Sequence, residues 1–375
     1  MRRVLIVSPT YLNPANRGKL RALAARDLDV TVGVPERSRE AGLGRTIEVG
    51  WERQNGVEVF PIPVRHWAHP AEARFGKRAL ISLLRDKRPD VIQVEQEPTT
   101  RGCQQVVRVA RKLKLPVVLF TLQNVDVSLP LFPRVRRRRA LRRLKGAIAG
   151  SGGAAALLRR AVPDLPIAVV PQLGVQVPPE PEHALHEGLA IGYVGRLVPE
   201  KGLDTLLQAL AENRGGRWYL WVVGDGPDRE RLERMASELR LAARIRWTGA
   251  LPPEEMTRLW AELDVLVQPS RELPGWAEQS AHAVAEAMAH EVAVIGTGAG
   301  ATPEVIGDAG AIVPPGDPAA IAGALRRLAV TEARRPLAQA GQRSRGKSGT
   351  RRTRVTAGRS PLSKTRPSAP PPRRH

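Results

Sequence analysis

Two cations stand where an apolar run gives way to a helical one in IGYVGRLVPEKGLDTLLQAL, from Ile191 onward. Gly195 ends the run, Arg196 follows at once, and Lys201 and Gly202 precede the helix. Two positive charges and pliant backbone at a helix N-terminus suit a phosphate group. Strand, glycine and helix recur in VVGDGPDRERL, with Gly224, Asp225 and Gly226, and in RIRWTGALPPEEM, with Gly249 before Leu251. Each glycine alone reads as a turn residue, but three such turns at one sheet edge point to a ligand. Downstream, Glu278 and Glu286 lie in a stretch read as one helix over 277–290. A step of eight residues turns the direction by roughly 80° and rises about 12 Å. Both carboxylates then face one elongated ligand and accept hydrogen bonds from sugar hydroxyls. Ala283, Val284, Ala287 and Met288 mark this helix as buried, so Glu286 needs a ligand or an arginine. GAGATPEVIGDAG then sets Gly298, Gly300 and Thr302 after another apolar run. Its GxG is not a dinucleotide fingerprint, since Pro303 takes the third glycine's place and no acid-ended strand follows at the expected interval.

Positioning these residues requires parallel sheets. Short Val/Ile-rich runs alternate with helical spacing, the pattern of sheets covered by helices on both faces. The first series predicts strands at 4–8, 30–34, 57–60, 91–95, 117–121, 147–150 and 167–170. The second predicts strands at 190–194, 218–223, 245–248, 265–268, 292–296 and 311–313, with helices at 203–211, 227–239, 254–261, 277–290 and 318–328. The Pro/Gly-rich segment between them reads as a linker. The expected class is α/β, two Rossmann-like domains facing a cleft: 1–173, a linker at 174–188, then 189–340. Ligands of such sheets bind at the carboxyl ends of the strands.

The chain has 375 residues and a net charge of +22, which by itself suggests a nucleic-acid or membrane partner. The charge is unevenly spread: residues 134–160 contribute +10 and 341–375 contribute +11, whereas 161–340 are net −8. Aromatic content is 4%, without the aromatic-basic interleaving of nucleic-acid modules, so a nucleic-acid partner is not expected. Residues 341–375 hold no acids and several prolines and read as a disordered low-complexity tail. A single cysteine, Cys103, excludes an internal disulfide and fits a structural role in a reducing cytoplasm. The opening apolar run reads as a strand rather than a signal peptide. No apolar stretch reaches about 18 residues, so no membrane span is expected.

YVGRLVPEKG, VVGDGPDRERLE, RWTGALPPEEM, DVLVQPS, the two glutamates and GATPEVIGDAGAIVPPGDPAAIAGALRRL, in that order, resemble the donor half of family 4 glycosyltransferases, which have the GT-B fold. Residues 1–173 are similar mainly in strand order. The resemblance implies that the second domain binds a nucleoside-diphosphate sugar and the first holds a glycan or lipid-linked acceptor. Carried over by motif, Arg196 and Lys201 neutralise the diphosphate, Glu278 holds donor-sugar hydroxyls and Glu286 the ribose. Gly195, Gly300 and Thr302 belong to the donor site, and Asp225, Gly249 and Leu251 lie near the base. Transfer with retention, no metal ion and no cofactor are implied, because the two cations replace a divalent ion.

The chain also departs from the family pattern. Ser280 and Ala281 stand where many relatives have Phe-Gly, which keeps open a protein that binds nucleotide sugar with impaired or no transfer. Gln123 and Asn124 replace a frequent first-domain histidine, so no catalytic histidine is assigned, and His66 and His69 read as loop residues. On the acceptor side Gly18 and Asn124 remain as candidates. The ending lacks the family's return helices, and a frameshift near Gly341 is the expectation. Arg136–Arg139, Arg142 and Arg143 give a helix whose cationic face suits anionic lipid and solvent equally, leaving peripheral membrane contact open.

Overall fold

A computed structural model describes residues 1–39, 46–69, 71–178, 184, 186–330, 334 and 337–343. The tail beyond Arg343 and part of the linker, 179–183 and 185, lie outside the described residues. The first half runs β1 (Arg2–Val7), α1 (Gly18–Ala24), β2 (Leu28–Pro35), β3 (Arg37–Arg39), β4 (Thr46–Glu48), β5 (Glu52–Gln54), β6 (Val57–Ile62), β7 (Val64–Arg65), β8 (Arg74–Phe75), α2 (Lys77–Lys87), β9 (Val91–Glu95), α3 (Arg101–Lys112), β10 (Val117–Thr121), α4 (Leu131–Leu141), β11 (Gly146–Ala149), α5 (Gly152–Ala161) and β12 (Ile167–Val169). Eight strands form one sheet in the order β12-β11-β10-β9-β1-β2-β6-β5. All its pairings are parallel except β5 with β6.

The second half runs β13 (Leu189–Val194), α6 (Leu203–Glu212), β14 (Trp218–Val223), α7 (Arg229–Glu238), β15 (Ile245–Gly249), α8 (Pro253–Glu262), β16 (Val265–Gln268), α9 (His282–Ala289), β17 (Ala293–Thr297), α10 (Thr302–Ile306), β18 (Ala311–Val313) and α11 (Pro318–Leu328). Its six strands, ordered β15-β14-β13-β16-β17-β18, are all parallel. Order reverses beside β13, where β16 takes the flank opposite β14. That is a topological switch point, at which the loops after neighbouring strands diverge and leave a crevice.

Central strands read as continuous apolar runs because helices cover both faces. Ile191, Leu220, Val265 and Ile295 form one core with Leu206, Leu210 and Leu325 from α6 and α11, and Leu266 and Val294 pack against α9 on the other face. Helix starts follow local chemistry. Thr100 Oγ1 accepts from Cys103 N at 3.2 Å, Ser151 Oγ from Ala154 N at 3.2 Å, and Asp317 Oδ1 from Ala320 N at 2.9 Å. Cys103 is buried in α3, and burial together with Glu97 pushes its thiol up to about 12, so it stays protonated and inert.

Candidate active site

The loops after β13 and β16 meet at the carboxyl edge of the second sheet. Tyr193, fully buried, donates from its hydroxyl to the Arg196 carbonyl at 2.8 Å and pins the turn that follows β13. Gly202 closes that turn at φ 68°, and a Cβ there would lie 2.1 Å from the Pro269 carbonyl, so only glycine lets the two loops touch. The approach delivers Lys201 Nζ to Glu278 Oε2 at 2.5 Å. The same oxygen accepts from Ser270 Oγ at 2.9 Å and from Gln268 Nε2 at 3.3 Å. Glu278 is only 5% exposed. Burial raises the pKa of its carboxyl, but the Lys201 ammonium, the Ser270 hydroxyl and the Gln279 amide outweigh burial and hold it below the usual range. Lys201 also lies 5.6 Å from the Trp276 ring centroid. Arg196 differs: its side chain is 46% exposed, with Glu200 3.6 Å away as an ion-pair partner. The loop after β13 therefore carries both a buried cation paired with a carboxylate and a half-exposed arginine.

The two glutamates do not share a helix, contrary to the reading over 277–290. α9 begins only at His282, because Ala281 takes a left-handed conformation at φ 42°. Glu278 lies in the preceding loop, and its carbonyl is held from two sides, by Ala301 N at 2.8 Å and by Asn124 Nδ2 at 2.7 Å. Gly300, at φ 56°, permits this, since a Cβ would lie 2.1 Å from that carbonyl oxygen. Glu286 is not deeply buried either: its side chain is partly exposed, with His282 Nε2 3.3 Å from Oε1. The predicted need for an arginine or a ligand is thus removed by the exposure of Glu286 and the neighbouring His282.

The other donor-side candidates fall along the same edge. Gly224 N donates to the Gly249 carbonyl at 2.8 Å, and Gly249 itself sits at φ 74°. Cβ atoms on Gly224 and Gly226 would lie 2.0 and 2.3 Å from the Gly195 and Leu197 carbonyls. Backbone crossing already accounts for these two glycines without a ligand. Asp225 accepts from Gly226 N at 2.8 Å and sits 3.8 Å from Arg229, and Leu251, in the loop after β15, packs against the apolar cluster that includes Leu259 and Trp260. Thr302 is fully buried, its hydroxyl without a hydrogen-bond partner among the described residues.

From the first domain, Asn124 reaches across to the Glu278 loop, and Glu304 Oε2 accepts from Gly152 N at 2.8 Å. Asn124, Ser151, Trp276 and Gly300 share the walls of a cleft of about 440 Å³. Gly18 opens α1 in ordinary right-handed geometry, with no atom nearer than 3.9 Å to a Cβ placed there.

Sequence reasoning missed a charged cluster at the end of β9. Buried Glu95 accepts from Lys19 Nζ at 2.5 Å, Gln93 Nε2 at 2.6 Å, Tyr11 Oη at 3.1 Å and Gln172 Nε2 at 3.2 Å. Two residues on, Glu97 accepts from Leu122 N at 3.1 Å and from the Thr121 hydroxyl, while burial pushes its pKa up despite these donors. An acid ending a strand, as in VIQVEQE, was the available signal. No group of residues that would hold a metal ion occurs among the described residues.

Family models match both halves: "Glycosyl transferases group 1" over residues 188–330 and "Glycosyl transferase 4-like domain" over 13–172. A 2-deoxystreptamine glucosyltransferase of Streptomyces kanamyceticus is 32% identical over 229 residues, 55% of this chain and 57% of that protein. The chain thus matches little more than half the length of that relative. A sucrose-phosphate synthase of Thermosynechococcus elongatus superposes with a TM-score of 0.73 at 17% identity, covering 92% of this chain and 94% of that one. Anabaena Alr3699/HepE in complex with UDP superposes at 0.67 and 17% identity, covering 93% and 95%.

Proposed function

Since the chain belongs to the group 1 glycosyltransferases and has the GT-B fold, we propose that it moves a hexosyl group from a nucleoside-diphosphate sugar to a glycan or lipid-linked acceptor, with retention and without a metal ion. The Lys201–Glu278 pair beside Arg196, at the switch point of the second sheet, carries this reading. Arg196 and Lys201 neutralise the diphosphate as it leaves, and the Glu278 carboxylate takes hydroxyls of the sugar. The acceptor oxygen bonds to the anomeric carbon on the face from which the phosphate oxygen departs, and that phosphate takes the acceptor's proton. Positioning and leaving-group stabilisation supply the rate. UDP- and GDP-sugars are the first donors to try, UDP because the similar Anabaena protein binds it. Calorimetric titration with both, followed by a donor-hydrolysis assay, tests the reading. Absence of binding by either refutes it.

One observation favours the second reading, binding without efficient transfer. Ala281 adopts the left-handed backbone that favours glycine, immediately before α9. The strain acts on the loop that carries Glu278. Donor binding without donor hydrolysis or transfer selects this reading.

The acceptor side adds a membrane surface, in keeping with a lipid-linked acceptor and a cytoplasmic location. Leu131 and Phe132 at the start of α4 are 70% and 80% exposed, with Val127 and Val135 also exposed beside them. The arginines of α4 follow directly. Apolar tips backed by arginines suit the interface of an anionic bilayer. No helix among the described residues is long and apolar enough to cross one.

A further inference from the structure

A second hollow, of about 390 Å³, lies between α4, α5 and the ends of β9 and β10. Arg134, Arg137 and Arg138 project into it from α4 and Arg160 from α5, with Asp126 as the one acid in its lining. Leu141 and Leu158 give it an apolar floor. None of the four guanidinium groups has a carboxylate within ion-pair distance among the described residues. Four like charges gathered in one concavity repel one another and focus a positive potential that a bound anion relieves. Arginine's planar fork matches the oxygens of a phosphate.

The hollow also adjoins the cleft. Asp126 lines both spaces, and Asn124, two residues earlier, is the side chain bonded to the Glu278 carbonyl. Glu97 braces the wall of the hollow through Thr121 and the adjoining Leu122 N. A molecule anchored on the arginines therefore lies in a space that shares Asp126 with the cleft at the Glu278 loop.

We infer that the acceptor is a phosphorylated molecule, its phosphate seated on Arg134, Arg137, Arg138 and Arg160 and its hydroxyl directed into the cleft. The inference rests on the transferase reading and specifies the class of its acceptor. A neutral sugar would leave the four guanidinium groups unused, and an amino-sugar cation would be repelled by them.

The probe is inorganic pyrophosphate, titrated by calorimetry into the full chain with excess UDP and GDP to occupy the Arg196 site. Binding is expected that weakens with added salt. The variant R137Q/R138Q/R160Q should lose it by at least about tenfold while nucleotide affinity stays as it was. Arg196→Ala should do the reverse. If the triple variant fails to fold, Arg160→Gln on the exposed face of α5 gives a smaller loss of the same sign. Glucose 1-phosphate in solution and a polyprenyl phosphate in neutral vesicles, each competing with pyrophosphate, distinguish a soluble from a lipid-borne phosphate. Competition by either supports the inference, and competition by neither overturns it. Pyrophosphate binding that is absent, or equal in the variants, overturns it too. Pyrophosphate binding through the hollow without nucleotide binding at Arg196 refutes the transferase reading and leaves the anion site standing.

Discussion

Replacing Lys201 with methionine keeps most of the side-chain volume and removes the charge that faces Glu278. Both side chains are largely out of water, 16% and 7% exposed, and stand 2.5 Å apart. Losing one partner of such a pair costs about 3–5 kcal/mol, because the remaining charge stays buried and uncompensated. Ser270 and Gln268 still donate to Glu278, which lowers the expectation to about 2–3 kcal/mol. At about 2–4 °C per kcal/mol for a unit of this size, the melting midpoint should fall by about 5–10 °C at neutral pH. The pH dependence fixes the cause. The Glu278 pKa is depressed in the fold, so its stabilising contribution is full above the unfolded carboxylate range and is lost as pH falls from there through the lower pKa of the folded state. Without Lys201 that carboxyl takes a proton more readily, and the gap between variant and wild type should narrow on acidification. Adding Glu278→Gln to the variant should recover about half of the loss, since a neutral amide no longer needs a cation. Scanning calorimetry of wild type, both single variants and the double variant closes the cycle. A coupling energy below about 0.5 kcal/mol, or a gap that widens on acidification, would refute the reasoning.

Other perturbations separate function from folding. Arg196→Ala should lower kcat/KM of transfer by about 100- to 1,000-fold with an unchanged melting midpoint, because its side chain is half exposed; near-normal transfer would sink the leaving-group role. Gly300→Ala, which drives a Cβ into the Glu278 carbonyl, should cost about 1–3 kcal/mol and most donor affinity; urea unfolding and a nucleotide titration report both. Ala281→Gly should relieve about 1 kcal/mol of left-handed strain and raise transfer activity, and a lower midpoint would show the strain absent. Leu131→Ser with Phe132→Ser should reduce co-sedimentation with anionic vesicles several-fold while leaving the midpoint unmoved, and equal binding to neutral and anionic vesicles would contradict the membrane contact.

The strands were legible because sheets covered on both faces write themselves as short β-branched runs, and both series recur as parallel sheets. Arg196 and Lys201 were legible too, as charges at a strand end. The relation between Glu278 and Glu286 was not. AEQSAHAVAEAMAH has the alanines and spacing of one helix, and local propensity gives no sign that Ala281 breaks it. What separates the glutamates is tertiary: Ala301 and Asn124, 23 and 154 positions away, hold the Glu278 carbonyl outside the helix, and Gly300 leaves room for it. Gly224 and Gly226, in one of the three turns that together read as pointing to a ligand, owe their place to backbone crossings that no periodicity records. The Glu95 cluster depends on residues from four parts of the chain and carries no spacing signal beyond its acid.

The Glu278 carbonyl takes one hydrogen bond from each domain, from Ala301 and from Asn124. The position of the Glu278 loop and the distance between the domains are therefore a single variable. Parting the domains releases Asn124 from Glu278 and Gly152 from Glu304, at about 1 kcal/mol for each hydrogen bond broken. By reciprocity, a donor that settles the Glu278 loop tightens the grip of the first domain, and an acceptor that draws the first domain inward tightens the donor. On the proposed function, donor and acceptor are therefore expected to bind with positive cooperativity. Asn124→Ala should weaken that cooperativity, because it removes one of the two bonds, Asn124 to Glu278 and Gly152 to Glu304, that tie domain closure to the Glu278 loop.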